Sequence, residues 1–135
     1  MRKLGCLLCG VALAMSVAAC GSVSSPSTQT AEDYTDTVQP AGQVFKTFSV
    51  GKTGEMQFTL QSLTPRLVVG FLAVAIGQPT GSVCSPFPAY IVQQTAVGQQ
   101  YSFPQITKGT YCILVADGSS ALTQAATFTL HFTHP

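Results

Sequence analysis

The stretch Ala126-Thr127-Phe128-Thr129-Leu130-His131-Phe132-Thr133 decides the fold. Its apolar residues alternate with Thr127, Thr129, His131 and Thr133, the two-residue period of a strand with one buried and one solvated face. Working back along the chain, Tyr111 to Ala116 is an apolar run framed by the Lys108-Gly109 turn and by Asp117-Gly118-Ser119-Ser120. Gln99 to Phe103 reads as a strand stopped by Pro104, and Tyr90 to Gln94 as another short one. Between Ile76 and Tyr90 the reading is irregular: Gly77 to Ser82 is a loop, and Ser85-Pro86-Phe87-Pro88 is a second non-strand segment. Arg66 to Ile76 is nearly continuous in Leu, Val, Phe and Ile. Its β-branched content, with Gly70 in the middle and turns on both sides, favours a buried strand over a helix. Glu55 to Ser62 alternates Met56, Phe58 and Leu60 with Gln57, Thr59 and Gln61, and Val44 to Val50 precedes it across the turn Gly51 to Gly54. Seven or eight short strands split by Gly/Pro turns specify an all-β fold over residues 41–135. The expected form is a small antiparallel β-sandwich of Greek-key or jelly-roll type.

Composition narrows the function. The chain of 135 residues carries Lys+Arg 6 against Asp+Glu 5 and is 46% hydrophobic and 8% charged. Globular proteins average about 25% charged residues, so the surface must consist of Ser, Thr, Gln and Gly. Six scattered cations form no phosphate-binding patch, which excludes nucleic acid as a partner. Coiled coil and wholesale disorder are excluded by the residue types and by the apolar content.

Residues 1–19 have the layout of an export signal: Arg2 and Lys3, then the uncharged run Leu4 to Ala19 ending in small residues before Cys20. The run is shorter than the roughly 20 residues a spanning helix needs. The polar stretch after Cys20 contains no basic stop-transfer cluster. Val17-Ala18-Ala19-Cys20 resembles the lipobox of bacterial lipoproteins. That resemblance implies cleavage before Cys20, a diacylglycerol on its thiol and an acylated amine, which together anchor the chain in the bilayer. Gly21, rather than aspartate, follows the cysteine, so the resemblance implies the outer membrane in a Gram-negative source. The other reading of Cys20 is an incidental cysteine after an ordinary secretory signal.

Of five cysteines, Cys6 and Cys9 leave with the leader and Cys20 takes lipid, so Cys84 and Cys112 remain. In an exported protein such a pair reads as a disulfide, contributing on the order of 3–4 kcal/mol in the chain-entropy model. Residues 20–40 have linker composition, rich in Gly, Ser, Thr, Pro and Gln. They are expected to form a flexible tether reaching about 25 Å, with Glu32, Asp33 and Asp36 serving only to solvate it.

The block Ile106 to Gly118, containing Lys108-Gly109-Thr110-Tyr111 and Ile113-Leu114-Val115, resembles the pre-peptidase C-terminal type of β-sandwich. That resemblance implies an accessory module of the kind carried by secreted bacterial enzymes. Gln43-Val44-Phe45-Lys46 stands where an Asp-rich start would be expected, so a calcium site is not implied.

Candidates for chemistry are few. Ser119 or Ser120, His131 and Asp117 would be the members of a hydrolytic triad, but no Gly-x-Ser-x-Gly elbow accompanies them. His131 and His134 would face opposite sides of an extended strand, and no acidic or cysteine cluster completes a metal set. No cofactor or metal is expected. Phe87, Tyr90, Tyr101 and Phe103, in or beside Pro-containing loops, form the candidate ligand platform. The expectation is a non-catalytic accessory or interaction module in the cell envelope, meeting an envelope protein. A carbohydrate or peptidoglycan binder is the alternative, and a small hydrolase a distant one.

Overall fold

A computed structural model of the chain describes residues 28–66 and 72–135. The leader, Cys20 and the first half of the Arg66–Ile76 run, at residues 67–71, lie outside them. The described residues form eight strands: β1 (Thr30–Val38), β2 (Gln43–Val50), β3 (Gly54–Thr64), β4 (Leu72–Thr80), β5 (Val83–Val92), β6 (Gln100–Ile106), β7 (Gly109–Asp117) and β8 (Ala126–His134). Two four-stranded antiparallel sheets, ordered β1-β8-β3-β6 and β2-β7-β4-β5, pack as a β-sandwich with jelly-roll strand order.

The alternation read at β8 is what places the core. Ala126, Phe128, Leu130 and Phe132 are fully buried, and so are Met56 and Leu60 of β3, with Phe58 close to it. A bulge between Leu60 and Ser62 moves the inward set of β3 by one residue, so Leu63 is buried after Leu60. The second sheet closes the core with Leu72, Val74, Ile76, Ile113 and Val115.

The unbroken apolar run of β7 has a physical cause. Ile113 and Val115 face the core, while Cys112 and Leu114 face outward into a second apolar cluster with Ala75 and Cys84. On this outer face Phe45, Leu114, Ala75 and Ile91 form one row across β2, β7, β4 and β5. The two end residues cover the buried Leu114 and Ala75.

Cys84 and Cys112 form a disulfide, with their Cα atoms 5.9 Å apart. The bridge joins β5 to β7 across β4. Alternate strands of a flat sheet lie roughly 9–10 Å apart, so β5 must swing in over β4 at this point. Gly77, paired with both Cys112 and Pro86, permits that approach. A Cβ there would stand 2.2 Å from the Ser85 carbonyl oxygen and 2.8 Å from Pro86 Cα.

Three expectations need correction. The tether does not extend to residue 40, because Thr30–Val38 is an edge strand paired along its length with β8. Tyr34 and Val38, four residues apart on one strand face, are buried, and that small apolar contribution outweighs the linker composition. The loop read over 77–82 shrinks to Gly81-Ser82, since β4 continues to Thr80. Pro104 does not stop β6, and Pro86 and Pro88 lie within β5. Both are edge strands, where a missing N–H need not cost a ladder bond.

Candidate binding site

An irregularity in β5 builds the site. Two steps along β4, from Ala75 to Gly77, correspond to five along β5, from Ile91 back to Pro86. The extra residues bow out as Phe87-Pro88-Ala89-Tyr90, which is where the sequence signalled irregularity. Tyr90 is held in place by its hydroxyl, which donates to the Gln105 carbonyl at 2.7 Å and so ties the edge of one sheet to the edge of the other. Its ring meets Phe103 edge-on at 5.2 Å. Phe87, Tyr90, Gln105, Thr107 and Tyr111 line an open pocket of about 380 Å³.

Of the four aromatics expected as a platform, Phe87 and Tyr90 line this pocket and the other two do not. Phe103 is buried in the core. Tyr101 stacks on Phe58 at 5.0 Å, and its hydroxyl accepts from the Ala96 amide at 2.9 Å, so it anchors the β5–β6 loop. Both point inward because they alternate with the exposed Gln100, Ser102 and Pro104 along β6, before a register shift opposite Gly54 and Met56 turns Ile106 inward in place of Gln105. Tyr111 is the residue the sequence reading missed. Its place in the Tyr111–Ala116 run gives no sign of a binding role, but it sits half-buried at the start of β7, with Phe48 stacked on it at 6.0 Å.

Of the groups considered for catalysis, Ser120 stays beside Asp117, its amide donating to the Asp117 carbonyl at 3.2 Å, but His131 is partnered elsewhere. Asp117 is buried, and its carboxylate accepts from three backbone amides: Ala41 at 2.9 Å, Ala121 at 2.9 Å and Leu122 at 3.2 Å. Burial raises its pKa, but these donors outweigh burial and hold the carboxyl below the usual carboxylate range. His131 instead pairs with Asp33, Nδ1 to Oδ1 at 2.7 Å, on the outer face of the first sheet. A shallow hollow of about 160 Å³ lies there between Gln57, Thr59, Gln100, His131 and Thr133. His134 faces the opposite way, as its position three residues on requires. It is buried against Phe48 and Phe132, with Nε2 3.1 Å from Glu32.

Glu32 also pairs with Lys46 of β2 at 2.8 Å, so it joins the two sheets at the edge opposite the pocket. Burial raises the Glu32 pKa, and the Lys46 and His134 bonds and charges more than reverse this, leaving the group below its ordinary value. The acids at 32 and 33 therefore hold β1 in place, contrary to the expectation that they only solvate a tether. No group of three or more His, Cys, Asp or Glu able to hold a metal occurs among the described residues.

Fold and site together define a disulfide-bridged jelly-roll sandwich with an aromatic pocket at one open edge. No family model matches the chain, and no curated protein matches it. Its architecture is similar to the crystal structure of a mitogen derived from Yersinia pseudotuberculosis, with a TM-score of 0.52 at 13% identity over 78% of this chain and 86% of that one. That likeness concerns the fold.

Proposed function

We propose that the protein is a lipid-anchored envelope protein whose sandwich is a non-catalytic accessory module, one that holds a partner and does not transform it. One observation carries this reading. The groups able to do acid–base chemistry hold the fold together, whereas the open pocket is lined by neutral and aromatic side chains. The Cys84–Cys112 bridge agrees with an oxidising, exported location. The leader and Val17-Ala18-Ala19-Cys20 supply the anchor. With β1 beginning at Thr30, only the chain between Cys20 and Thr30 serves as tether. As a coil it would reach about 18 Å, which keeps the module close to the bilayer.

The test uses tagged full-length protein in its own cells. Wild type should sediment with membranes and Cys20→Ser should not; retention of the variant would refute lipidation as the anchor. Cross-linking followed by mass spectrometry should recover a reproducible envelope component. Turnover of a bound molecule, abolished by His131→Ala, would refute the non-catalytic reading.

A further inference from the structure

The pocket at the β5–β6 edge has a chemistry of its own. Phe87 stands nearly perpendicular to Tyr90 (84°, centroids 6.2 Å apart) and to Tyr111 (72°, 6.3 Å), so the three rings form a cup and not a stack. All three are half-buried, which leaves ring surface open, and the exposed Gln105 and Thr107 complete the rim. Sites for small molecules span about 300–1,000 Å³; at about 380 Å³ the cup is sized for one or two rings.

The polar groups are matched to a ligand that both donates and accepts. The Tyr90 hydroxyl gives its proton to the Gln105 carbonyl and keeps a lone pair. The Thr107 and Tyr111 hydroxyls share a single bond at 2.9 Å, which leaves one O–H and free lone pairs between them. The Gln105 side chain adds an amide with donors and an acceptor. None of the lining residues is charged.

We propose that this cup binds a neutral saccharide. A pyranose ring has an apolar C–H face to set against an aromatic wall, and a rim of hydroxyls that each donate and accept. A charged ligand would find no counter-charge here. An extended peptide would find no continuous row of edge amides, because Pro86 and Pro88 in β5 and Pro104 in β6 carry no N–H. The inference rests on the reading of the sandwich as a binding module and names what it binds.

The chain has no Trp and four Tyr, and two of the four line the cup, so tyrosine emission reports occupancy. Full-length protein in detergent micelles is titrated with neutral tetrasaccharides of glucose, mannose and N-acetylglucosamine. At least one should give a saturable change. Phe87→Ala should weaken that binding tenfold or more. Tyr111→Phe, which keeps the ring and the fold, should weaken it about threefold. Tyr101→Phe, altered away from the cup, should bind as wild type. Absence of a saturable change with all three sugars overturns the proposal, as does wild-type affinity in both cup variants. If no sugar binds while Phe87→Ala abolishes cross-linking to an envelope protein, the saccharide falls and the module reading stands. A sugar that is bound and then cleaved would leave the cup as its site and sink the non-catalytic reading.

Discussion

Replacing Asp117 by asparagine should expose how much of the fold depends on one carboxylate. The side chain sits at the end of β7, and its two oxygens hold Ala41 in the β1–β2 turn and Ala121 and Leu122 in the β7–β8 loop. Three parts of the chain therefore meet at one charge. Each hydrogen bond to a charged group is worth about 1.5–3 kcal/mol. An asparagine carbonyl can replace the oxygen that serves Ala41 and Leu122, but its NH2 then faces the Ala121 amide, donor against donor. The expected loss is about 2–3 kcal/mol, a large share of the roughly 5–15 kcal/mol that holds a domain folded. Urea unfolding followed by tyrosine emission measures it. The pH dependence is the sharper check. The folded-state pKa is depressed, so the carboxylate stabilises the fold fully above its unfolded value, near 4, and that contribution is lost as pH falls through the folded value. The gap between wild type and Asp117→Asn should be full at pH 6 and above and narrow below about pH 4. A gap under about 1 kcal/mol, or one that does not change with pH, would refute the account of Asp117 as a charged cap.

Further substitutions test other parts of the structure. Gly77→Ala should destabilise by about 2–3 kcal/mol or more, because the new methyl meets the backbone of Ser85 and Pro86 and not a movable side chain; an unchanged melting temperature would contradict the close crossing of β5 over β4. The double variant Cys84→Ser, Cys112→Ser should lose about 3.5 kcal/mol in urea unfolding, given the sequence separation of 28 between the cysteines. Glu32→Gln should leave the global fold intact but speed amide exchange across Thr30–Val38, since Glu32 ties β1 to both Lys46 and His134. In wild type the same loosening should appear as pH falls below the usual glutamate range, because the Glu32 pKa is lowered in the fold; exchange in β1 that ignores both changes would refute the clasp.

How much of this was legible in the sequence depends on how many faces of each strand are buried. β8 and β3 bury one face, so a two-residue period was visible in the letters and gave their spans closely. β7 buries both faces, and its run announced a strand without saying which residues face outward. β1 shows the opposite failure. Its buried contribution is Tyr34 and Val38 among six polar residues and Ala31, and it is held by partners nearly a hundred positions away, such as Asp33 with His131. No local window contains that information. The site divides in the same way. Irregularity at Pro86 to Pro88 marked Phe87 and Tyr90 as unusual, but Tyr111 joins them only through the pairing of β7 with β4 and of β4 with β5.

That pairing also decides how the cup relates to the clasp. β1, which carries Glu32, lies at one edge of its sheet and β6, which carries Gln105, at the other, with β8 and β3 between them. At about 4.8 Å per strand the two edges are roughly 14 Å apart. The Glu32–Lys46–His134 clasp closes the β1–β2 side, and the Tyr90–Gln105 bond spans the β5–β6 side where the cup opens. The two are nevertheless joined through one ring, because Phe48 lies 5.1 Å from His134 of the clasp and stacks at 6.0 Å on Tyr111 of the cup. The clasp then has a role beyond stability: by holding His134 against Phe48 it backs one wall of the cup. Release of β1 would take Glu32 from His134 and loosen that backing. Saccharide binding to Glu32→Gln in micelles should therefore be weaker than that of wild type, although no residue lining the cup has changed. Wild-type affinity in this variant would show that Phe48 does not transmit the loosening and would refute the coupling.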